Sequence, residues 1–184
     1  MALLQSPAKD VDFYAVDFKL KNINGADLTL TDCRGPKGLL VMFICNHCPY
    51  VQAVIERLAE TCRELQNIGY GCVAIMPNDT ENYPADSFEN MKVFAQEHSF
   101  SFPYLIDETQ QVARAYGAVC TPDFFGFDAD LRLQYRGRLD SAGAKPAAPD
   151  TQTELLDALR AIAQGKSPPA GQSPSMGCSI KWKS

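Results

Sequence analysis

The sequence predicts an α/β domain: a central mixed β-sheet flanked by helices. Two observations carry this. Short, unbroken apolar runs, "LLVMFIC" at 39–45 and "CVAIMP" at 72–77, are too short to cross a membrane and fit strands buried on both faces. Between and after them come stretches with apolar residues at helical spacing, so strand and helix alternate along the chain.

The elements follow in order. Residues 12–21 read as an extended edge element. "INGADLTL" carries the turn signal Asn24-Gly25 and then alternates. "CRGPKG" is a breaker cluster ahead of the first buried strand. After that strand, Val51, Val54, Ile55, Leu58, Cys62 and Leu65 recur at helical spacing, and Gly69 can end the helix. Within "YPADSFENMKVFAQEHS", Asp86 is the expected N-cap with Glu89 three on, and Phe88, Met91, Phe94 and Ala95 form an apolar stripe. "FPYLID" is a short strand, and a short helix is expected from Asp107 to Gly117. "DFFGFDADLRLQYRGRLD" reads as two strands joined by a turn at Asp128 to Asp130. A last helix at about 151–164 has Thr151 and Glu154 as a capping box and Leu155, Leu156, Leu159 and Ile162 inward. The expected organisation is one domain over 1–164 with a tail, 165–184, packed on it. In that tail Met176, Cys178, Ile180 and Trp182 alternate, the period of an extended segment docked along one face.

Composition excludes some functions. A net charge of -5 with no basic run argues against a nucleic-acid partner. The N-terminus lacks a basic start and a long apolar stretch, so neither a secretory signal nor a membrane anchor is expected, and the default location is cytoplasmic. The cysteine count is odd (Cys33, Cys45, Cys48, Cys62, Cys72, Cys120 and Cys178), which makes a structural disulfide framework a poor expectation. Cys62 and Cys72 read as small core residues.

The stretch "FICNHCPYV", 43–51, sets Cys45 and Cys48 three apart with His47 between them and Pro49 after. It could be a redox pair, a metal clip or two buried thiols. A strand ending at Cys45 and a helix starting near Asn46 would put both thiols at a helix N-terminus. There, unpaired N–H groups and the helix dipole favour an anion. Such surroundings lower a cysteine pKa from ~8.5 into the ~3.5–7.5 range, and a fall of about two units is worth about 2.7 kcal/mol. Pro49 costs nothing in a first turn, where its missing N–H has no partner to lose. On this reading Cys45 is the exposed nucleophile and Cys48, one turn inward, resolves the mixed disulfide. A protonated His47 would stabilise the thiolate.

The sequence here resembles the thioredoxin superfamily. More narrowly, it is similar to the peroxiredoxin-like branch of the alkyl hydroperoxide reductase/thiol-specific antioxidant family. The carrying residues are "FICNHCPYV", "MPND" at 76–79, "YPADSFENM" at 83–91, "ARAYGAVCTPDFFGFD" at 113–128, "YRGRLD" at 135–140 and "SMGCSIKWK" at 175–183. The resemblance implies a thioredoxin-like fold and Cys45 and Cys48 as the redox pair. It implies a cis bond at Thr121-Pro122 lying against the pair, with the Thr121 backbone as the edge to which an extended substrate peptide pairs. Cys120 would add a thiol near that loop, and Arg136 or Arg138 would be the supporting arginine. The chain departs from the superfamily pattern where it carries Leu39 in place of a buried acid, six positions before Cys45, and Ile44 in place of a tryptophan.

Three functions follow as expectations. The first is a thiol–disulfide oxidoreductase acting on a disulfide-bearing protein or small thiol, reset by an external thiol reductant, with no cofactor. The second is a thiol peroxidase reducing hydroperoxides, an antioxidant role in which the other cysteine or Cys178 condenses with the sulfenic acid. The third is a non-enzymatic copper- or zinc-binding module using Cys45, Cys48 and His47 or His98. Cys178 is a candidate third redox cysteine if the tail docks near the pair. Exposed strand edges or helix faces leave a homodimer open.

Overall fold

The structure is a computed structural model that describes residues 2–8, 10 and 12–183. Met1 and Ser184, the outer limits of the two expected segments, lie outside the described residues.

The strands are β1 (Leu3–Gln5), β2 (Lys19–Asn22), β3 (Asp27–Thr29), β4 (Gly38–Phe43), β5 (Tyr70–Met76), β6 (Tyr104–Ile106), β7 (Cys120–Thr121), β8 (Asp123–Phe127), β9 (Leu133–Arg136) and β10 (Met176–Ser179). The helices are α1 (Leu30–Cys33), α2 (Pro49–Asn67), α3 (Phe88–Glu97), α4 (Gln111–Ala115) and α5 (Glu154–Ala163). Seven strands form a mixed sheet in the order β3-β2-β6-β5-β4-β8-β9. β4 runs parallel to β5 and β5 to β6, while β8 lies antiparallel to β4.

β4 is buried throughout, and its side chains alternate between two cores as the pleat dictates. Leu40 and Met42 join Val54, Ile55 and Leu58 of α2, Phe94 of α3 and Leu155, Leu156 and Leu159 of α5. Leu39, Val41 and Phe43 face the other way, onto Leu30, Ala113, Tyr116, Phe125 and Phe127. A strand covered on both faces must be apolar at every position, which explains the unbroken run 39–44. Cys62 and Cys72 sit in the first core as buried thiols.

Several boundaries differ from the sequence expectation. The hairpin around Asn24-Gly25 joins β2 and β3, with β3 rather than 12–21 as the sheet edge. α4 starts only at Gln111, because Asp107 accepts from the Ala113 N–H from outside the helix (2.8 Å). α5 starts at Glu154: Thr151 caps the preceding turn, accepting from the Ala148 N–H (2.8 Å), so no capping box forms with Glu154. α3 is capped by Ser87, whose hydroxyl accepts from the Asn90 N–H (3.3 Å). The expected cap, Asp86, is drawn elsewhere.

A smaller sheet, β1-β10-β7, completes the molecule. In it the tail strand β10 lies antiparallel to both β7 and β1, with Cys178 opposite Thr121 on one side and Leu3 on the other. Among the described residues no helix is long and apolar enough to cross a membrane.

Candidate active site

The stretch after β4 does not continue directly into helix. α2 begins at Pro49, the first helical residue, with Cys48 as the N-cap. Residues 45–47 instead wrap around Asp86, which is fully buried. Asp86 Oδ1 accepts from the Asn46 N–H (2.8 Å) and the His47 N–H (3.3 Å). Its Oδ2 accepts from the Asn78 side chain (2.8 Å) and lies 2.7 Å from His47 Nδ1, close but not aligned as a hydrogen bond. Asp86 thus holds the backbone of the loop between β4 and α2, and the helix begins three residues later than expected. Asn46 is locked further: its side chain donates to Ala85 O, and Tyr104 Oη donates to its Oδ1 (3.0 Å). His47 stacks on Tyr83, with ring centroids 5.9 Å apart and planes 8° from parallel.

Both sulfurs are buried: Cys45 is 1% exposed and Cys48 0%. The expectation of an exposed Cys45 is corrected, because the 45–47 loop folds inward onto Asp86. Cys45 Sγ lies 3.3 Å from Thr121 Oγ1, and Cys48 Sγ lies 3.2 Å from the Thr121 carbonyl. Thr121-Pro122 is cis and sits against the pair.

In the geometry shown, the Cys48 thiol donates to the Thr121 carbonyl and points at Cys178 Sγ. Its pKa is drawn down, to about 4, by its interaction with Cys45 first and by the Cys178 thiol and the Val51 and Cys178 backbone after, against the cost of burial. Cys45 moves the other way: it donates to Cys48, is buried, and faces the Asp86 carboxylate, all of which raise it, and only Thr121 opposes. Cys48, as the N-cap of α2, stands at the terminus where unpaired N–H groups favour an anion.

The remaining candidates fall into two groups. Cys178 joins the pair, its Sγ 2.9 Å from Cys48 Sγ. Cys120 is fully buried beside the loop, its thiol toward Pro122 O (3.7 Å), and burial pushes it far up. Arg138, by contrast, is engaged away from the pair, donating twice to Glu154 (2.6 and 2.9 Å). Arg136 donates to Asp123 (3.1 Å) and Gly117 O and covers the Phe125 ring. Asp123 is itself fully buried, and burial raises it to about 6 against the pull of Arg136. Neither arginine is seen to contact the cysteines. His98 pairs with Glu56 (2.6 Å) at the end of α3 and contributes nothing here.

Two findings were not legible in the sequence. The first is Asp86: a buried carboxylate does accompany the pair, but from the turn before α3 instead of position 39. Cys45, His47 and Asp86 bring donor atoms within 4.8 Å of one another and could hold a metal ion. Both carboxylate oxygens already accept from Asn46, His47 and Asn78, so an ion would have to displace those contacts. The second is that the Thr121 edge, expected to be open to a substrate peptide, is occupied by the chain's own β10.

Comparison with known proteins places this geometry. A model of the AhpC/TSA family matches residues 11–136. The chain is 29% identical over 120 residues to the thiol-disulfide oxidoreductase ResA of Geobacillus thermodenitrificans (strain NG80-2), covering 65% of this chain and 64% of that protein. It thus spans just under two thirds of that relative's length. A crystal structure of an uncharacterized conserved protein from Geobacillus kaustophilus is 44% identical with a TM-score of 0.94, covering 100% of this chain and 97% of that one. The thioredoxin domain of a thiol-disulfide oxidoreductase from Bacteroides vulgatus is 17% identical with a TM-score of 0.59, covering 70% of this chain and 89% of that one, which shows the fold to be thioredoxin-like. With more than half of its length matched by the family model, the chain belongs to the AhpC/TSA family.

Proposed function

We propose that the protein is a thiol–disulfide oxidoreductase whose working pair is Cys45 and Cys48. One observation carries the reading: the two cysteines meet at the cis Thr121-Pro122 loop, Cys45 Sγ 3.3 Å from the Thr121 hydroxyl and Cys48 Sγ 3.2 Å from its carbonyl. The likeness to a protein named as a thiol-disulfide oxidoreductase supports it.

The exchange runs in two steps. Cys45 attacks one sulfur of a substrate disulfide. Its proton passes to the Cys48 thiolate and on to the departing substrate thiolate. The Cys48 thiolate then attacks Cys45 Sγ, releasing the second substrate sulfur as a thiolate, which takes its proton from solvent, and leaving a Cys45–Cys48 disulfide. Two electrons pass to the substrate, and an external thiol reductant returns them. The substrates proposed are a disulfide-bearing protein or a small disulfide. Asp86 positions the loop, and His47, whose side chain is 20% exposed, reaches solvent beside the exposed Pro49.

The placement of the arginines favours this over peroxide reduction, since Arg136 and Arg138 are committed to Asp123 and Glu154. Cys48→Ser, incubated with a disulfide-bearing protein, should retain a mixed disulfide on Cys45. Absence of any mixed disulfide, together with no Cys45–Cys48 bond in the oxidised wild type, would reject the proposal. In a stopped-flow assay the wild type should react with hydrogen peroxide no faster than a free thiol of equal thiolate fraction. A much faster reaction would favour the peroxidase.

A further inference from the structure

β10 lies where a partner strand would pair along Thr121, and it brings a cysteine with it. Cys178 stands directly opposite Thr121, and its Sγ is 2.9 Å from Cys48 Sγ, nearer than packed carbon atoms approach one another (~3.5–4.0 Å). Cys48 therefore has a second thiol, Cys178, in direct contact besides its partner in the pair.

The strand is held there from several directions. Ser175 Oγ donates to the Pro122 carbonyl (2.7 Å), and Ser6 and Ser175 exchange hydrogen bonds of 2.9 Å. Beyond the strand, the Lys181 N–H donates to Asn78, and the Lys181 carbonyl accepts from the Asp79 N–H. Between these anchors Gly177 passes so near the loop that a Cβ there would stand 2.0 Å from the Thr121 carbonyl oxygen. Only glycine permits this approach.

We propose that Cys178 is a third redox cysteine that takes over the disulfide from the working pair. The inference rests on the redox reading of Cys45 and Cys48. In the oxidised protein the Cys178 sulfur attacks Cys48 Sγ. The Cys48–Cys178 bond forms, the Cys45–Cys48 bond breaks, and the proton leaving Cys178 ends on Cys45. The step is an internal exchange: the protein stays oxidised by two electrons, and no further oxidant is needed. Its consequence is a second oxidised form in which Cys45 is a free thiol again. The tail then serves as a substrate strand built into the chain.

The test is disulfide mapping. Wild type, Cys45→Ser and Gly177→Ala are oxidised with glutathione disulfide at low protein concentration and quenched in acid. Free thiols are then alkylated under denaturing conditions and linked peptides identified by mass spectrometry. The wild type should yield Cys48–Cys178 alongside Cys45–Cys48. Cys45→Ser should carry Cys48–Cys178 in most molecules. Gly177→Ala should lose that linkage several-fold while keeping Cys45–Cys48. A wild type that forms Cys45–Cys48, with Cys178 fully alkylated both there and in folded Cys45→Ser, would overturn the inference and leave the working pair standing. If neither linkage forms in any of the three, the redox reading falls with it.

Discussion

The charge on Cys48 can be tested through its effect on stability. Replacing Cys48 by Ala removes a thiolate held at about 4 in the folded protein against ~8.5 in an unfolded chain. A folded value below the unfolded one stabilises the fold wherever the unfolded thiol is less ionised. The contribution is complete above about pH 8.5, shrinks as pH falls, and is gone below about pH 4. Within that window each pH unit carries at most about 1.36 kcal/mol, so the step from pH 7 to pH 5 removes roughly 2–3 kcal/mol. Cys45 and Cys178 do not disturb this, since both are pushed up and stay neutral throughout. Asp123 works in the opposite sense, because its folded value of about 6 lies above the carboxylate norm. It is common to wild type and variant and cancels in their difference. The assay is urea unfolding of reduced wild type and Cys48→Ala at both pH values in a phosphine reductant. Between pH 7 and pH 5 the wild type should lose roughly 2–3 kcal/mol more than the variant, whatever the packing cost of the substitution. Oxidised wild type, with no thiolate left at the pair, should follow the variant. Parallel pH profiles for reduced wild type and Cys48→Ala would refute the placement of the thiolate.

Three further substitutions have definite expectations. Asp86→Asn removes the anion that pushes up Cys45, so the pH midpoint for alkylation of Cys45 should move down. The fold should weaken by about 1.5–3 kcal/mol as the Asn46 and His47 N–H groups lose a charged acceptor. Thr121→Val takes away the hydroxyl 3.3 Å from Cys45 Sγ, the one contact that lowers its pKa. One hydrogen bond of about 1 kcal/mol should slow insulin reduction by less than about tenfold. Arg136→Met leaves Asp123 buried without its cation and should cost about 3–5 kcal/mol at pH 8. Urea midpoints should show the deficit narrowing at pH 5, where Asp123 takes up a proton and no longer needs the pairing.

The strands and helices were largely readable because their signals are local. β4 and β5 announce themselves as unbroken apolar runs, and a strand covered on both faces permits little else. α2 shows its stripe from Val51 to Leu65, and its proline sits where an N–H is dispensable. The cysteine spacing and the Thr121-Pro122 loop were visible as motifs. The misplaced starts of α2, α3 and α5 share one cause: each depended on which distant or neighbouring group takes the first free N–H donors. No local pattern says that Asp86 will leave the capping of α3 to Ser87 and hold Asn46 and His47, about forty residues earlier in the chain.

By itself, then, the sequence determined the layered α/β architecture, the spacing of Cys45 and Cys48 on which the proposed thiol chemistry rests, and the extended form of the tail. These are properties of residue type and short-range period. The tertiary structure alone decided which of the two sulfurs the surroundings favour as the anion, which acid stands beside the pair, and what covers the Thr121 edge. Each of those depends on hydrogen bonds between residues dozens to more than a hundred positions apart. A pKa follows the donors and charges that surround a group in space, and a sheet edge follows the strand that reaches it first.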